Sequence, residues 1–176
     1  IINMKEINII DGFFDNFNLI KDAFKNIPLY NLKQYKKKFN EKNNWPGYRS
    51  DNLINVNPFL YNLILKEIFN KLKIGFFAPG TSVEMRAVIH LRTSSSVKDW
   101  IHTDPVDKTL LVYLSETNLE SGTALYEEDN SPSTIVKFIQ NRALLFDGKI
   151  KHGSLHQYGN NVKNGRLTLN CFFKRK

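Results

Sequence analysis

Apolar positions along the first third of the chain recur with a helical period. In DGFFDNFNLIKDAFKNIP, Phe13, Phe17, Ile20 and Phe24 are spaced by three and four residues. That spacing predicts one apolar helix face, bounded by Asp11 or Asp15 before it and by Pro28 after it. A second helix is better marked. Asn57 can cap it, Pro58 suits its first position, and Gly75 can end it. Between these signals Leu60, Ile64, Leu65, Ile68 and Leu72 form a broad apolar stripe. From about Ser82 the pattern changes to short strand-like runs: SVEMRAVIHLR, TLLVYLS, TALYEE, STIVKFIQ, RALLFDG and GRLTLNCFF. Clusters of Gly, Asn, Asp, Ser and Pro separate them at short intervals.

Helices first and strands afterwards predict an α+β chain whose β part is a sandwich or barrel. No internal repeat and no dividing linker interrupts it, so the 176 residues are expected to form a single domain, 1–176. Its composition, 41% hydrophobic and 24% charged, is that of an ordinary globular protein. No apolar stretch approaches the ~20 residues of a membrane-spanning helix, which argues against a membrane partner. The opening IINMKEINII lacks the basic start, apolar centre and small-residue cleavage site of a secretory signal. A single cysteine, Cys171, excludes an internal disulfide framework and suits a reducing, cytoplasmic setting.

The formal charge of +8 comes partly from QYKKKFNEK and the closing KRK. Such clusters read first as solvated surface. A basic face can also attract nucleic acid or an acidic substrate, and charge alone does not separate these readings.

Candidate chemistry begins at IHTDP, where His102 and Asp104 stand two residues apart. On a strand, positions i and i+2 point to one side, so both could reach one metal ion. A mononuclear ferrous site needs two imidazoles and one carboxylate on one face of the metal, with the other positions open. The competing reading has Asp104 capping the turn at Pro105 and His102 lying on the surface. Further along, His152 or His156 can supply a third ligand. On the final run, Arg166 and Thr168 share one strand face. A guanidinium beside a hydroxyl is a suitable receptor for a carboxylate.

The order His-x-Asp, distal His, then Arg-x-Thr on the last strand resembles the iron(II)- and 2-oxoglutarate-dependent dioxygenases, in their prolyl-hydroxylase-like and phytanoyl-hydroxylase-like branch. The resemblance covers roughly Arg86 to Phe173. IHTD corresponds to the family's His-x-Asp, and Gly122–Thr123 in TLLVYLSETNLESGTALY to its Gly-Thr pair. ALLFDGKIKHGS is similar to the strand and turn before the distal His, and GRLTLNCFF to the closing strand.

That likeness implies a double-stranded β-helix, a jelly-roll or cupin-like barrel, buttressed by N-terminal helices. Residues 1–80 would supply mainly helical support and a cleft-bordering loop, and 81–176 the β-helix core with the metal site. It implies Fe(II) held by His102, Asp104 and His152, with His156 as the alternative third ligand. Arg166 and Thr168 would hold the distal carboxylate of 2-oxoglutarate, with Tyr113 adding a hydroxyl or serving as a core residue. Arg86, His90 and Arg92 share one parity of the preceding strand, where the family often has an aromatic; any of them could line the pocket. The implied reaction consumes dioxygen and 2-oxoglutarate, releases succinate and CO2, and hydroxylates a peptide side chain or a small metabolite. NNWPGYRSDN could border the cleft and bind substrate through Trp45 and Arg49, or be a turn packing Trp45 on the core. A nucleic-acid-modifying member is not favoured, because Phe172 stands where that branch carries a second arginine. A non-catalytic β-helix binding domain is the remaining alternative, expected to have lost a metal ligand.

Overall fold

A computed structural model describes residues 7–40, 42, 44–72 and 75–176. The first six residues of the apolar opening, Glu41 in the basic cluster, Asn43 in the expected cleft segment, and Lys73 and Ile74 lie outside the described residues.

The chain runs β1 (Asn8–Ile10), α1 (Phe17–Phe24), β2 (Tyr30–Asn31), α2 (Leu32–Phe39), β3 (Tyr48–Arg49), α3 (Leu53–Val56) and α4 (Pro58–Lys71). After a 3-10 turn at Gly75–Phe77 come β4 (Val83–Arg92), β5 (Lys108–Tyr113), β6 (Asn118–Tyr126) and β7 (Pro132–Phe138). The chain closes with β8 (Ala143–Asp147), β9 (Lys151–Leu155) and β10 (Arg166–Arg175). Among the described residues the strands form two antiparallel sheets. One has the order β1-β8-β5-β10-β4-β3-β2 and the other β7-β6-β9.

Side-chain alternation explains how one sheet serves two cores. Met85, Ala87, Ile89 and Leu91 of β4, with Leu167, Leu169, Cys171 and Phe173 of β10, pack on the helices. Phe13, Phe14, Ile20, Leu60, Ile64, Ile68 and Phe77 meet them from the helical side. The opposite parity looks toward the smaller sheet. There Leu111, Tyr113, Leu144 and Phe146 join Leu125, Val136, Phe138 and Ile150 in a second core. On β4 and β10 that same parity carries Arg86, His90, Arg92, Arg166 and Thr168, which line a cavity instead.

The helix signals hold with shifted ends. Asn57 accepts from the Leu60 amide, and Pro58 opens α4 as expected. The helix stops at Lys71, and Gly75 opens the following 3-10 turn rather than ending α4. The first helix begins only at Phe17, with Phe13 buried ahead of it. Asp11 and Asp15 do not cap it; their carboxylates pair with Arg142 and Lys71. The basic cluster QYKKKFNEK contributes to helix α2, whose capping box joins Asn31 and Gln34. Lys36, Lys37 and Lys38 fall in its last turn, where they complement the helix dipole.

Candidate metal centre

His102 does not lie on a strand. It forms a lone antiparallel bridge with His152, each amide donating to the other's carbonyl at 3.0 and 2.8 Å. Asp104 follows in a loop, its amide donating to the Gly148 carbonyl at 2.8 Å. The expected i, i+2 strand geometry is thus replaced by a segment laid against β9 and the β8–β9 turn. Gly148 permits the approach: a Cβ there would stand 2.2 Å from the Val106 carbonyl oxygen and 2.9 Å from that of Asp104. No side chain fits without moving the loop that carries Asp104.

The result is convergence. Ligand atoms of His102, Asp104 and His152 all lie within 4.8 Å of one another. The imidazole centroids of the two histidines are 4.3 Å apart, and His152 Nε2 is 3.4 Å from Asp104 Oδ2. Each histidine has its Nδ1 2.9 Å from a carbonyl oxygen, Trp100 for His102 and Ile150 for His152. A carbonyl only accepts, so in each neutral ring the proton sits on Nδ1 and Nε2 keeps its lone pair. That tautomer suits a metal ligand, and the carbonyl fixes the ring's orientation. Thr109 donates to Asp104 Oδ2 at 2.7 Å and steadies the carboxylate. Burial holds His152 below its ordinary pKa, Asp104 working against that and His102 with it, so His152 is neutral at neutral pH.

His156 is separated from this group. It follows β9 in a left-handed conformation, φ +44°, and is exposed. The two histidines share strand parity in the sequence, but the strand ends at Leu155 before that parity can act. The alternative third ligand is therefore not brought to the cluster.

The cluster opens on a cavity of about 550 Å³. Arg166 lines it, buried, its Nη2 donating to the Gly122 carbonyl at 3.0 Å and to Thr123 Oγ1 at 3.3 Å. The guanidinium lies against the rings of Tyr113 and Phe138. Its Nε has no hydrogen-bond partner, and no carboxylate pairs with it among the described residues. A buried cation without a counter-ion is costly, and a bound anion relieves that cost. Thr168 shares the same wall, its hydroxyl donating to Asn170 Oδ1 at 2.7 Å.

Tyr113 departs from expectation. It is fully buried and does not line the cavity, its hydroxyl donating to Thr123 Oγ1 and lying 3.3 Å from the Val136 carbonyl. The tyrosine lies in the second core, and Thr123 lines the cavity beside it. Trp45 and Arg49 do line the cavity, with the guanidinium 4.6 Å from the Trp45 ring centroid. Gly47, at φ +81°, lets the Pro-Gly turn press against Leu91 and bring both residues to the wall.

Asp99, Thr109 and Gly148 were not singled out from the sequence. Asp99 accepts from the Ser154 amide and hydroxyl at 3.0 and 2.9 Å and faces Arg92 at 3.5 Å. It ties the segment before His102 to β9. Burial opposes its charge, but Arg92 and the Ser154 bonds outweigh this and hold its pKa below the usual carboxylate range. Nothing in the sequence links residues 55 positions apart, so no local signal reveals that tie.

No family model matches the sequence, and no curated protein is detectably similar to it. Solved structures are. An oxidoreductase of the 2OG-Fe(II) oxygenase family from Burkholderia pseudomallei superposes with a TM-score of 0.68 at 13% identity, over 97% of this chain and 86% of that one. HygX from Streptomyces hygroscopicus, with nickel, 2-oxoglutarate and hygromycin B bound, gives 0.67 at 11% identity over 98% and 84%. A Pseudomonas putida prolyl-4-hydroxylase gives 0.62 at 14% identity over 98% and 94%. The chain therefore has the fold of the 2OG-Fe(II) oxygenases.

Proposed function

We propose that this protein is an Fe(II)- and 2-oxoglutarate-dependent dioxygenase whose two sheets form a double-stranded β-helix. The observation that carries the reading is a shared cavity: a His-Asp-His cluster with both imidazoles in the ligand tautomer, and a buried guanidinium paired with no carboxylate among the described residues. His102, Asp104 and His152 would hold the metal, leaving positions for 2-oxoglutarate and dioxygen. A ferrous ion bound there supplies the oxidative decarboxylation of 2-oxoglutarate to succinate and CO2, coupled to hydroxylation of a substrate C–H bond.

The chain's own groups prepare that chemistry. Trp100 and Ile150 carbonyls hold the imidazole protons, Thr109 orients the Asp104 carboxylate, and Arg166 with Thr168 receives the distal carboxylate of 2-oxoglutarate. Thr123, hydrogen-bonded to Arg166, fixes the guanidinium plane. A cavity of about 550 Å³ suits a small ligand beside the cosubstrate. HygX, solved with hygromycin B, and the epimerase SnoN, solved with nogalamycin RO, support a small-molecule substrate.

The test is succinate formation from 2-oxoglutarate by protein reconstituted with Fe(II), measured across small-molecule, peptide and nucleic-acid candidates. Iron-dependent succinate release, stimulated by one class and abolished in His152→Ala, is expected. Absence of succinate from protein shown to bind both iron and 2-oxoglutarate would favour a non-catalytic binding domain.

A further inference from the structure

Two sides of the cavity are used neither by the metal cluster nor by the residues that would hold the cosubstrate. One is the wall formed by β4 and the Pro-Gly turn before β3. There Trp45, His90 and Arg92 line the cavity while only 6%, 5% and 7% exposed. Trp45 Nε1, His90 Nε2, and both Nε and Nη1 of Arg92 have no hydrogen-bond partner. Buried polar atoms are ordinarily satisfied, so a cluster of open ones marks a place where a ligand completes the bonding.

These side chains are held in place. Tyr35 meets the Trp45 ring edge-on, with centroids 5.2 Å apart. His90 and Arg92 stand two residues apart on one face of β4. A Cβ on Gly47 would stand 3.0 Å from Arg92 Cδ, so the turn closes on that side chain. Asp99 balances the charge of Arg92 at 3.5 Å. His90 is kept neutral by burial first, then by the charges of Arg49, Arg92, Arg86 and Arg166. What Trp45, His90 and Arg92 lack is hydrogen bonds, not a counter-ion.

The kind of partner follows from donors and acceptors. Indole and guanidinium N–H groups only donate, whereas a neutral imidazole nitrogen donates in one tautomer and accepts in the other. A hydroxyl both donates and accepts, so it satisfies the first two and serves His90 in either tautomer. The other unused side is Trp100. Its side chain is 44% exposed, lines the same cavity, and has its ring centroid 6.4 Å from that of His102. Its amide donates to Asp99 Oδ1 at 3.2 Å, and a Cβ on Gly153 would stand 3.3 Å from its carbonyl oxygen, so its backbone is fixed. An aromatic face left open inside a cavity suits a ligand with an apolar face.

We propose that this wall and Trp100 form the subsite for a substrate with a hydroxylated saturated ring, a sugar or a cyclitol. The ring's hydroxyls would bond Trp45 Nε1, His90 Nε2 and the Arg92 guanidinium, and one C–H face would pack on Trp100. The word substrate rests on the oxygenase reading; the ring site itself does not. Packed on Trp100, the ring presents C–H bonds beside His102 and Asp104, which line the same cavity.

The test titrates Zn(II)- and 2-oxoglutarate-loaded protein with four probes: methyl β-D-glucopyranoside, myo-inositol, 2-(hydroxymethyl)tetrahydropyran as a ring with one hydroxyl, and inorganic phosphate. The chain has two tryptophans, Trp45 and Trp100, so two indole N–H signals in NMR spectra report the two sides of the subsite. We expect the glucopyranoside or inositol to move both signals saturably, and the single-hydroxyl ring to leave them in place. His90→Phe fills the wall without its nitrogens and should weaken that binding by about tenfold. Trp100→Ala should weaken it by roughly three- to tenfold, read from the Trp45 signal. Retained 2-oxoglutarate affinity reports that a variant is folded. Preference for the glucopyranoside assigns a sugar, and preference for inositol a cyclitol. No saturable shift with either ring overturns the proposal, as do unchanged affinities in His90→Phe, or a response to phosphate alone. If 2-oxoglutarate fails to bind while the ring response persists and needs His90, the oxygenase reading falls and the ring site stands. If 2-oxoglutarate binds through Arg166 and neither ring binds, the reverse holds.

Discussion

Replacing Arg166 with Met separates a ligand-binding role from a structural one. The side chain is 4% exposed, has an unpartnered Nε, and is paired with no carboxylate among the described residues. In the ligand-free protein its charge is a cost, offset in part by its bonds to Gly122 and Thr123. Met fills similar volume against Tyr113 and Phe138 and removes that cost, so the net change in stability should stay within about 1 kcal/mol. For a chain of 176 residues this is a melting shift of about 2–4 °C or less. With 2-oxoglutarate the balance reverses. The substitution removes both partners' hydrogen bonds and leaves a buried carboxylate without a cation, a loss of about 3–5 kcal/mol. The dissociation constant for 2-oxoglutarate should rise by roughly 100-fold or more. Calorimetric titration of the Mn(II)-loaded proteins measures the affinity, and thermal melts without ligand measure the stability. Unchanged 2-oxoglutarate affinity would refute the reasoning. So would a ligand-free variant that melts more than 10 °C lower, since Arg166 would then be a structural cation.

His152→Ala should abolish tight Mn(II) or Fe(II) binding, whereas His156→Ala should leave it intact, as read by calorimetry; the opposite pattern would move the third ligand to His156. Thr109→Val keeps the side chain's shape but removes the donor to Asp104, so metal affinity should fall by roughly 10–100-fold. An affinity unchanged in that variant would mean the carboxylate is held by other contacts. His90 is depressed well below its ordinary pKa by burial and the surrounding arginines, so the unfolded chain binds its proton first. Its contribution to stability is present above about pH 6.5 and is lost as pH falls toward the folded value, with a slope of up to about 1.4 kcal/mol per pH unit. Urea unfolding of metal-free protein at pH 7.5 and 5.5 should therefore show a smaller pH difference in His90→Gln, by about 1 kcal/mol. An equal difference in the two proteins would sink the assignment.

Periodicity carried most of the architecture. The strand-like runs correspond to β4, β5, β6, β7, β8 and β10, and the capping of α4 followed from Asn57 and Pro58. Short edge strands escaped notice because β1 has three residues and β2 and β3 two each, too few for a period. Helix α2 was hidden by its lysines, although Asn31 and Gln34 spell a capping box. At the site, residue types and order grouped His102, Asp104 and His152, which the fold also brings within 4.8 Å of one another, but by a different route. Strand parity predicted that the first two would align; in the fold a bridge to β9, the Gly148 approach and Thr109 do this. Tyr113 shows the limit of parity. It shares a face with Thr168, yet Thr123 and Phe138 from the other sheet cover it. Sequence spacing does not show what the opposing sheet brings.

The most direct measurement is an anaerobic titration of Fe(II)-loaded protein with 2-oxoglutarate, followed by visible absorption. Chelation of iron by the keto acid should give a saturable charge-transfer band in the wild-type protein, lost in His102→Ala, Asp104→Ala and His152→Ala. A band that persists in those variants, or none in a wild-type protein that binds iron, would contradict the account.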